Sequence, residues 1–370
     1  MILLVTYEAI QDFLNHIAPP YLEEEWDNSG IQVKHNRKKL NTLLIGLDPT
    51  LDFVQKGVQV KADLLISHHP LFFNPLKSID TNSLPGKKLS NLINNKIGLI
   101  SIHTPFDLAE NGLSQALAER LNLESIKTLK PVTTARLIRL VIFVPRSYED
   151  EVVNALLDVG LGRIGDYKNG YYRSDSEGFF EPLPSANPKV DIAEKRSPAP
   201  ERRLEFLMKP QLKDKAIPKL LEVHPYEEPA YTFEETERID QSVGLGRIGK
   251  LNQALTYNQV VEMVGNSLEV ENKDIITTGN PRNLVKTIAV SPGAGGEAVR
   301  PTLRAGVDLL VTGELDYHER LEASEKGLPV IEVGHYNSEK IFSPWLSQLL
   351  GEKFSKSELQ VYEYSGGETS

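Results

Sequence analysis

The five residues Asp63-Leu64-Leu65-Ile66-Ser67 return almost unchanged as Asp308-Leu309-Leu310-Val311-Thr312. Each is a short apolar run of the kind expected for a strand buried on both faces. Around the first copy, strand-like stretches at 43–47, 63–67 and 97–102 alternate with helical spacing at 52–62 and 89–95. A further helix is expected over 112–121. Around the second copy the strands fall at 284–290, 308–312 and 329–333, again with helices between them. Repeated β-α-β units of this kind specify parallel sheets with helices on both faces. The fold class is therefore α/β, with two related three-layer halves over 1–129 and 242–370 forming one core.

Between the halves, 130–241 has a different rhythm. Strands are expected at 137–144, 203–208 and 230–234, and helices at 149–159 and 213–223, the second interrupted by Pro218. Residues 167–188 read as hairpins and loops. The order β-α-β-β-α-β is that of a ferredoxin-like α+β insert. Asn187 to Arg203, rich in proline and charge, reads as an exposed loop. Val159-Gly-Leu-Gly-Arg-Ile-Gly165 recurs as 243–249. Neither copy has the strand-to-helix setting of a dinucleotide fingerprint, so tight loops are expected there. His224-Pro225-Tyr226-Glu227-Glu228-Pro229 reads as a rigid turn, with a metal or partner site as the alternative.

The ends of the predicted strands carry the chemistry. The first copy runs into His68-His69-Pro70, and the strand at 97–102 into His103 and Asp107. The second copy runs into Glu314 and His318, and the strand at 329–333 into His335 and Glu339. Five of the eight histidines thus sit at strand carboxyl ends, where open α/β sheets bind ligands. Imidazole and carboxylate ligands suit Zn, Fe, Mn or Ni. The set exceeds what one ion needs and matches a two-metal site, with adjacent histidines serving one ion each and a carboxylate bridging. His103 is either a ligand or a partner orienting one. Glu314 and His318 are acid/base groups, orienting groups or a solvated helix face. Asn337 or Ser338 is available to cap a helix carrying Glu339. Ser291-Pro292-Gly293-Ala294-Gly295-Gly296 is either a phosphate cradle or a glycine-rich turn.

A formal net charge of −10 argues against a nucleic-acid partner. The chain has no cysteine, which removes disulfides, thiolate ligands and a cysteine nucleophile and fits a cytoplasmic setting. No apolar run approaches the ~20 residues of a membrane helix.

Trp26-Asp27-Asn28-Ser29-Gly30, Ser67-His68-His69-Pro70, His103-Thr104 with Asp107, Thr312-Gly313-Glu314, and Gly334-His335-Tyr336 with Ser338-Glu339 resemble one known family. Its members are the dinuclear metal centre hexameric proteins, the Nif-three-like family of GTP cyclohydrolase 1 type 2 homologues. The middle segment resembles the longer bacterial subgroup with a PII-like insert. The resemblance implies two divalent ions (Zn, Fe or Mn) on His68, His69, Asp107, His335 and Glu339, with Glu339 bridging. It also implies a toroidal homohexamer with the inserts near its openings. Where many relatives carry two histidines after Gly-Glu, this chain has Tyr317-His318. The function expected is a metal-dependent hydrolase acting on a nucleotide or other phosphorylated small molecule, with Glu314, His318 or His103 moving protons. The alternative is a non-enzymatic ring that stores, delivers or senses metal, or docks partners through the insert.

Overall fold

The computed structural model describes residues 5–35, 39–163, 167–181, 197–279, 284–355 and 357–366. The chain divides into two compact units, Met1–Pro131 with Gln241–Ser370, and Val132–Asp240. Before the insert come α1 (Tyr7–Ile17), β1 (Gly30–Val33), β2 (Thr42–Gly46), α2 (Leu51–Gln59) and β3 (Leu64–Ser67). They are followed by α3 (Leu84–Asn94), β4 (Gly98–Ser101), α4 (Thr104–Leu108) and α5 (Leu113–Arg120). β5 (Glu124–Pro145) leads into the insert, with α6 (Glu149–Val159), β6 (Tyr172–Phe180), β7 (Ser197–Met208) and α7 (Lys213–Val223). β8 (Tyr231–Leu255) leads back to α8 (Tyr257–Leu268), β9 (Ile276–Thr278), β10 (Val285–Ala294), α9 (Gly296–Ala305) and β11 (Leu309–Glu314). The last elements are α10 (Tyr317–Glu325), β12 (Val330–Glu332), α11 (His335–Glu339), α12 (Phe342–Lys353) and β13 (Gln360–Tyr364).

In the larger unit, one sheet has the order β1-β4-β3-β2-β13, parallel except for β1. Successive strand residues point to opposite faces, and both faces are apolar. Leu43, Ile45, Leu64 and Ile66 pack against Ile10 and Leu14 of α1 and Phe342, Leu346 and Leu350 of α12. Leu44, Leu65 and Leu99 pack against Phe53 and Val54 of α2 and Leu92 of α3. The Thr6 hydroxyl caps α1 by accepting from the Ala9 amide at 3.1 Å.

The other sheet of this unit runs β8-β10-β11-β12-β9, with β10, β11 and β12 parallel. Ile288, Val290, Leu309, Val311 and Ile331 face α5 and α8, while Ala289, Leu310 and Val330 face α9 and α10. The halves are interleaved. α12 and β13 complete the first sheet, and Leu117 and Leu121 of the α5 region cover the second. The borrowed helices cover apolar sheet faces, and β13 pairs with the free edge of β2.

The aspartates that open the two repeats have one job. Asp63 Oδ2 accepts from the amides of Asn41 (2.7 Å) and Thr42 (3.1 Å). Asp308 Oδ2 accepts from the amides of Lys286 (3.0 Å) and Thr287 (2.8 Å) and from the Thr287 hydroxyl (2.7 Å). Each carboxylate thereby ties the loop before its own strand to the start of the neighbouring strand.

The insert has its strands in the order β6-β7-β5-β8, the ferredoxin-like arrangement for β-α-β-β-α-β. Its core joins Leu140, Ile142 and Phe206 of the sheet to Val152, Leu156 and Leu220 of the two helices. The expected loop at Asn187–Arg203 differs from the structure. Residues 187–196 lie outside the described residues, whereas 197–203 belong to β7. Pro198 and Pro200 are tolerated because that end of β7 pairs with β6 and reaches past Pro145, where pairing with β5 stops.

The second glycine repeat is likewise not a loop, because 243–249 lie inside β8. Gly246 takes φ +65°, and the buried Arg247 donates to the carbonyls of Ala109, Glu110, Ser242, Gly244 and Gly246. In the first copy Gly160 caps α6 in the left-handed region, and residues 164 and 165 lie outside the described residues. His224 is buried in a rigid turn, with Nε2 on the Phe143 carbonyl and Nδ1 accepting from the Tyr226 amide.

Burial raises the Asp308 carboxyl, but the bonds from Thr287 and Lys286 outweigh it and hold it below the usual range. A depressed folded-state pKa stabilises above the unfolded-state value and is lost as pH falls through the folded one. Asp308→Ala should therefore cost about 1–3 kcal/mol at pH 7. Urea unfolding should find the gap to wild type closing below about pH 4; a gap independent of pH would refute the assignment.

Candidate metal centre

The Ser67 hydroxyl bonds to the His69 carbonyl (2.8 Å) and faces Ser101 Oγ (2.8 Å), which fixes the turn leaving β3. His68 and His69 leave that turn side by side, with ring centroids 4.9 Å apart. His103 precedes α4, which carries Asp107. α11 begins at His335, with Gly334 rather than Asn337 or Ser338 at its N-cap. Glu339 therefore lies one turn on and faces the same way as His335.

Four imidazoles are held in the same manner. Each Nδ1 is engaged by an outer oxygen: Ile102 O for His68 (3.0 Å), Asp48 for His69 (2.8 Å), Asp27 for His103 (2.8 Å) and Glu314 for His335 (2.9 Å). With the proton on Nδ1, each ring in its neutral form leaves Nε2 as a lone-pair donor, the tautomer a metal ligand requires. His68 Nε2 lies 3.4 Å from Asp107 Oδ1. Glu339 Oε2 lies 3.3 Å from His69 Nε2 and 3.1 Å from His335 Nε2. His68, His69 and His103 form one group able to hold a metal ion, and His69, His335 and Glu339 form another. His68 Nε2 and Asp107 Oδ1 are buried with no hydrogen-bond partner. Buried polar atoms are almost always satisfied, so this donor set fits a cation.

The electrostatics agree. Burial draws the His69 imidazole down, but Asp48 and Glu339 outweigh it and lift it to about 10. Glu339 does the same for His335, at about 9, against the pull of burial. Burial pushes His68 down to about 3, leaving it neutral. Asp107 is driven well up by burial and by Glu339. Burial raises Glu339, yet His335, His69 and His68 more than reverse it and hold it far below the usual carboxylate range. The pocket demands positive charge, which either protons or metal ions can supply.

The five residues expected as ligands thus come together, and His103 joins them. Glu314 touches the outer side of His335. His318 is exposed in the first turn of α10, with its ring against Tyr317 at 5.2 Å, and joins neither ligand group. The glycine-rich stretch continues β10 and carries backbone past the site. Gly293 has φ +65°, and a Cβ there would run into the Glu339 carboxylate. At the start of α9, a Cβ on Gly296 would meet the Glu319 carboxylate, a negative neighbour that disfavours a phosphate there. Neither Asp48 nor Asp27, which the sequence shows only as part of the 26–30 motif, is among the site residues expected from sequence. Asp48 follows β2 as His69 follows β3, so its position at a strand end was the available signal. Asp27 also accepts from Ser29 Oγ and from Thr104 N and Oγ1.

Interleaved parallel sheets with paired histidine and carboxylate groups at their strand ends define an α/β protein with candidate metal-binding clusters. The chain belongs to the Duf34/NIF3 (NGG1p interacting factor 3) family, which it matches over residues 5–367. Two relatives bear the name GTP cyclohydrolase 1 type 2 homolog. The one from Halalkalibacterium halodurans is 31% identical over 333 residues, 90% of this chain and 89% of its own. The one from Bacillus subtilis is 31% identical over 346 residues, 94% and 92% of the two chains. The crystal structure of a Bacillus cereus protein related to NIF3 matches with a TM-score of 0.87 and 31% identity, covering 99% and 98% of the two chains.

Gly293→Ala should disturb this site through two effects, the left-handed backbone and the approach to Glu339. Gly327 shares the backbone conformation, at φ +69°, but nothing lies within 4 Å of its Cβ position. Gly327→Ala should cost about 1 kcal/mol, and Gly293→Ala roughly 1–3 kcal/mol more. Equal losses in denaturant unfolding would remove the close-approach argument.

Proposed function

We propose that the cluster holds two divalent cations, with His68 and Asp107 toward one, His69 and His335 toward the other, and Glu339 between them. The observation carrying this is that four imidazoles are anchored outward at Nδ1 around the buried Glu339 carboxylate and the buried, unpartnered Asp107 Oδ1. The ligand types admit Zn, Fe or Mn. When bound, such a pair supplies Lewis acidity toward a phosphoryl or carbonyl oxygen.

The reading is a metal-dependent hydrolase acting on a nucleotide or other phosphorylated small molecule; the relatives' printed name favours a nucleotide. In this reading Asp27 fixes the His103 tautomer, so Nε2 of His103 is the group placed to take or give a proton. Glu314 positions His335, and His318, outside the ligand groups, has no assigned step. Closure of the cluster by protein would favour metal storage or sensing, since catalysis needs an open position. The His335 side chain is 38% exposed and Glu314 56%, so one side of the cluster faces solvent, which favours the hydrolase. Phosphatase, phosphodiesterase and cyclohydrolase assays on metal-loaded protein test it; background rates in all three would leave the metal-storage reading. The family resemblance adds a toroidal homohexamer with PII-like inserts near its openings. Among the described residues no helix is long and apolar enough to cross a membrane, and the absence of cysteine favours the cytoplasm.

Two measurements address the metal role. Glu339→Gln keeps the shape and removes the charge, so it should bind fewer than two ions per chain; two tightly held ions would exclude the bridging assignment. His69 and His335, protonated at pH 7 before loading, must release protons to bind metal. Affinity should therefore rise from pH 6 to pH 8, and calorimetry in buffers of different ionisation enthalpy should detect proton release.

A further inference from the structure

Two large aromatic side chains stand exposed beside the cluster. Trp26 is 61% exposed and Phe73 is 47% exposed. Their rings are stacked, with centroids 6.3 Å apart and planes 30° apart. Both meet the His103 ring edge-on, at 5.6 Å and 5.9 Å. His103 in turn lies 5.1 Å from His68 and 5.3 Å from His69. The aromatic pair is therefore continuous with the candidate metal centre.

The pair is also held in place by its neighbours. Asp27, next to Trp26, is tied to His103 and Thr104. Asn28 Nδ2 donates to the carbonyl of Phe72, at 2.5 Å, joining the loop of Trp26 to the loop of Phe73. Fixed aromatic faces at the rim of a polar cluster suit a ligand with a flat ring at one end and a charged group at the other. Stacking on such a face tolerates many rings, because every base has a π-face.

We propose that Trp26 and Phe73 are specificity-determining residues. They receive a flat heteroaromatic ring of the substrate, while its phosphoryl or carbonyl end reaches the ligand cluster. This rests on the metal-centred reading above. It gives the site two halves, one selecting the ring and one engaging the reacting group, with His103 at their junction.

The test uses full-length, metal-loaded protein. Adenosine and guanosine 5′-monophosphate are the ring-bearing probes and ribose 5-phosphate the ring-free one, with affinities from equilibrium dialysis. At least one nucleotide should bind more tightly than ribose 5-phosphate. Trp26→Ala and Phe73→Ala should each weaken nucleotide binding by roughly 5- to 100-fold, the range set by base–aromatic stacking. Trp26→Phe should retain most of the affinity, and ribose 5-phosphate should bind all variants alike. In Trp345→Phe protein, Trp26 is the sole indole of the chain's two. Its emission should be quenched by the nucleotide and not by ribose 5-phosphate.

The proposal is overturned if the nucleotides bind no better than ribose 5-phosphate, or if Trp26→Ala leaves their affinity unchanged. A change in the molar mass of Trp26→Ala by light scattering, with nucleotide affinity intact, would overturn it in favour of a self-association surface. Metal content and proton release report separately on the cluster, so a failed ring site with two bound ions leaves the metal reading standing.

Discussion

A carboxylate as deeply buried as Glu339 cannot remain ionised without compensating positive charge. Much of the architecture around it meets that demand. His69 and His335 present Nε2 to its Oε2, and Gly293 lets backbone pass close to its other oxygen. The Ser338 hydroxyl receives the Gly293 amide at 2.9 Å, securing that approach from the helix that carries the carboxylate. The outer acceptors Asp48 and Glu314 complete the arrangement by fixing the imidazoles that face it.

The cluster is a product of interleaving. His68, His69, His103 and Asp107 leave the strands of one sheet, whereas His335 and Glu339 follow the last parallel strand of the other. Three residues after Glu339 the chain enters α12, which packs on the first sheet. Phe342, the first residue of α12, lies 5.0 Å from the His68 ring and 5.5 Å from Phe106. Hydrophobic packing and the convergence of the cluster therefore share a few residues, and the helix that covers one sheet follows directly on the turn that carries Glu339.

Much of this was legible in the sequence for a simple reason. Strands buried on both faces read as continuous apolar runs, and their ends mark where ligand-type residues gather. The two Asp-Leu-Leu repeats, the histidine pair and the matching His-x3-carboxylate spacings all follow from that geometry. What escaped reading has physical causes too. β9 is three residues long and draws its stability from pairing with β12. The exchange of α5, α12 and β13 between halves leaves no local trace, because an apolar helix face does not name the sheet it covers. Asp27 and Asp48 act behind the cluster, on the outer nitrogens of His103 and His69, and a lone aspartate in a turn resembles any turn residue. The glycine repeat in β8 misleads for the opposite reason: its glycines bend a strand around Arg247, a role that spacing alone does not separate from a loop.

The interleaved core also sets an order of assembly. During synthesis β2, β3 and β4 emerge early, with His68, His69 and His103 at their ends. The covering helix α12 and the edge partner β13 are the last described elements to arrive. Contacts so distant along the chain are slow to form, because the intervening segment must first be closed into a loop. Until then Leu43, Ile45, Leu64 and Ile66 lack α12 over them, and the half-formed cluster lacks its central carboxylate. The complete histidine–carboxylate cluster is thus a late mark of folding, assembled only after both sheets have found each other.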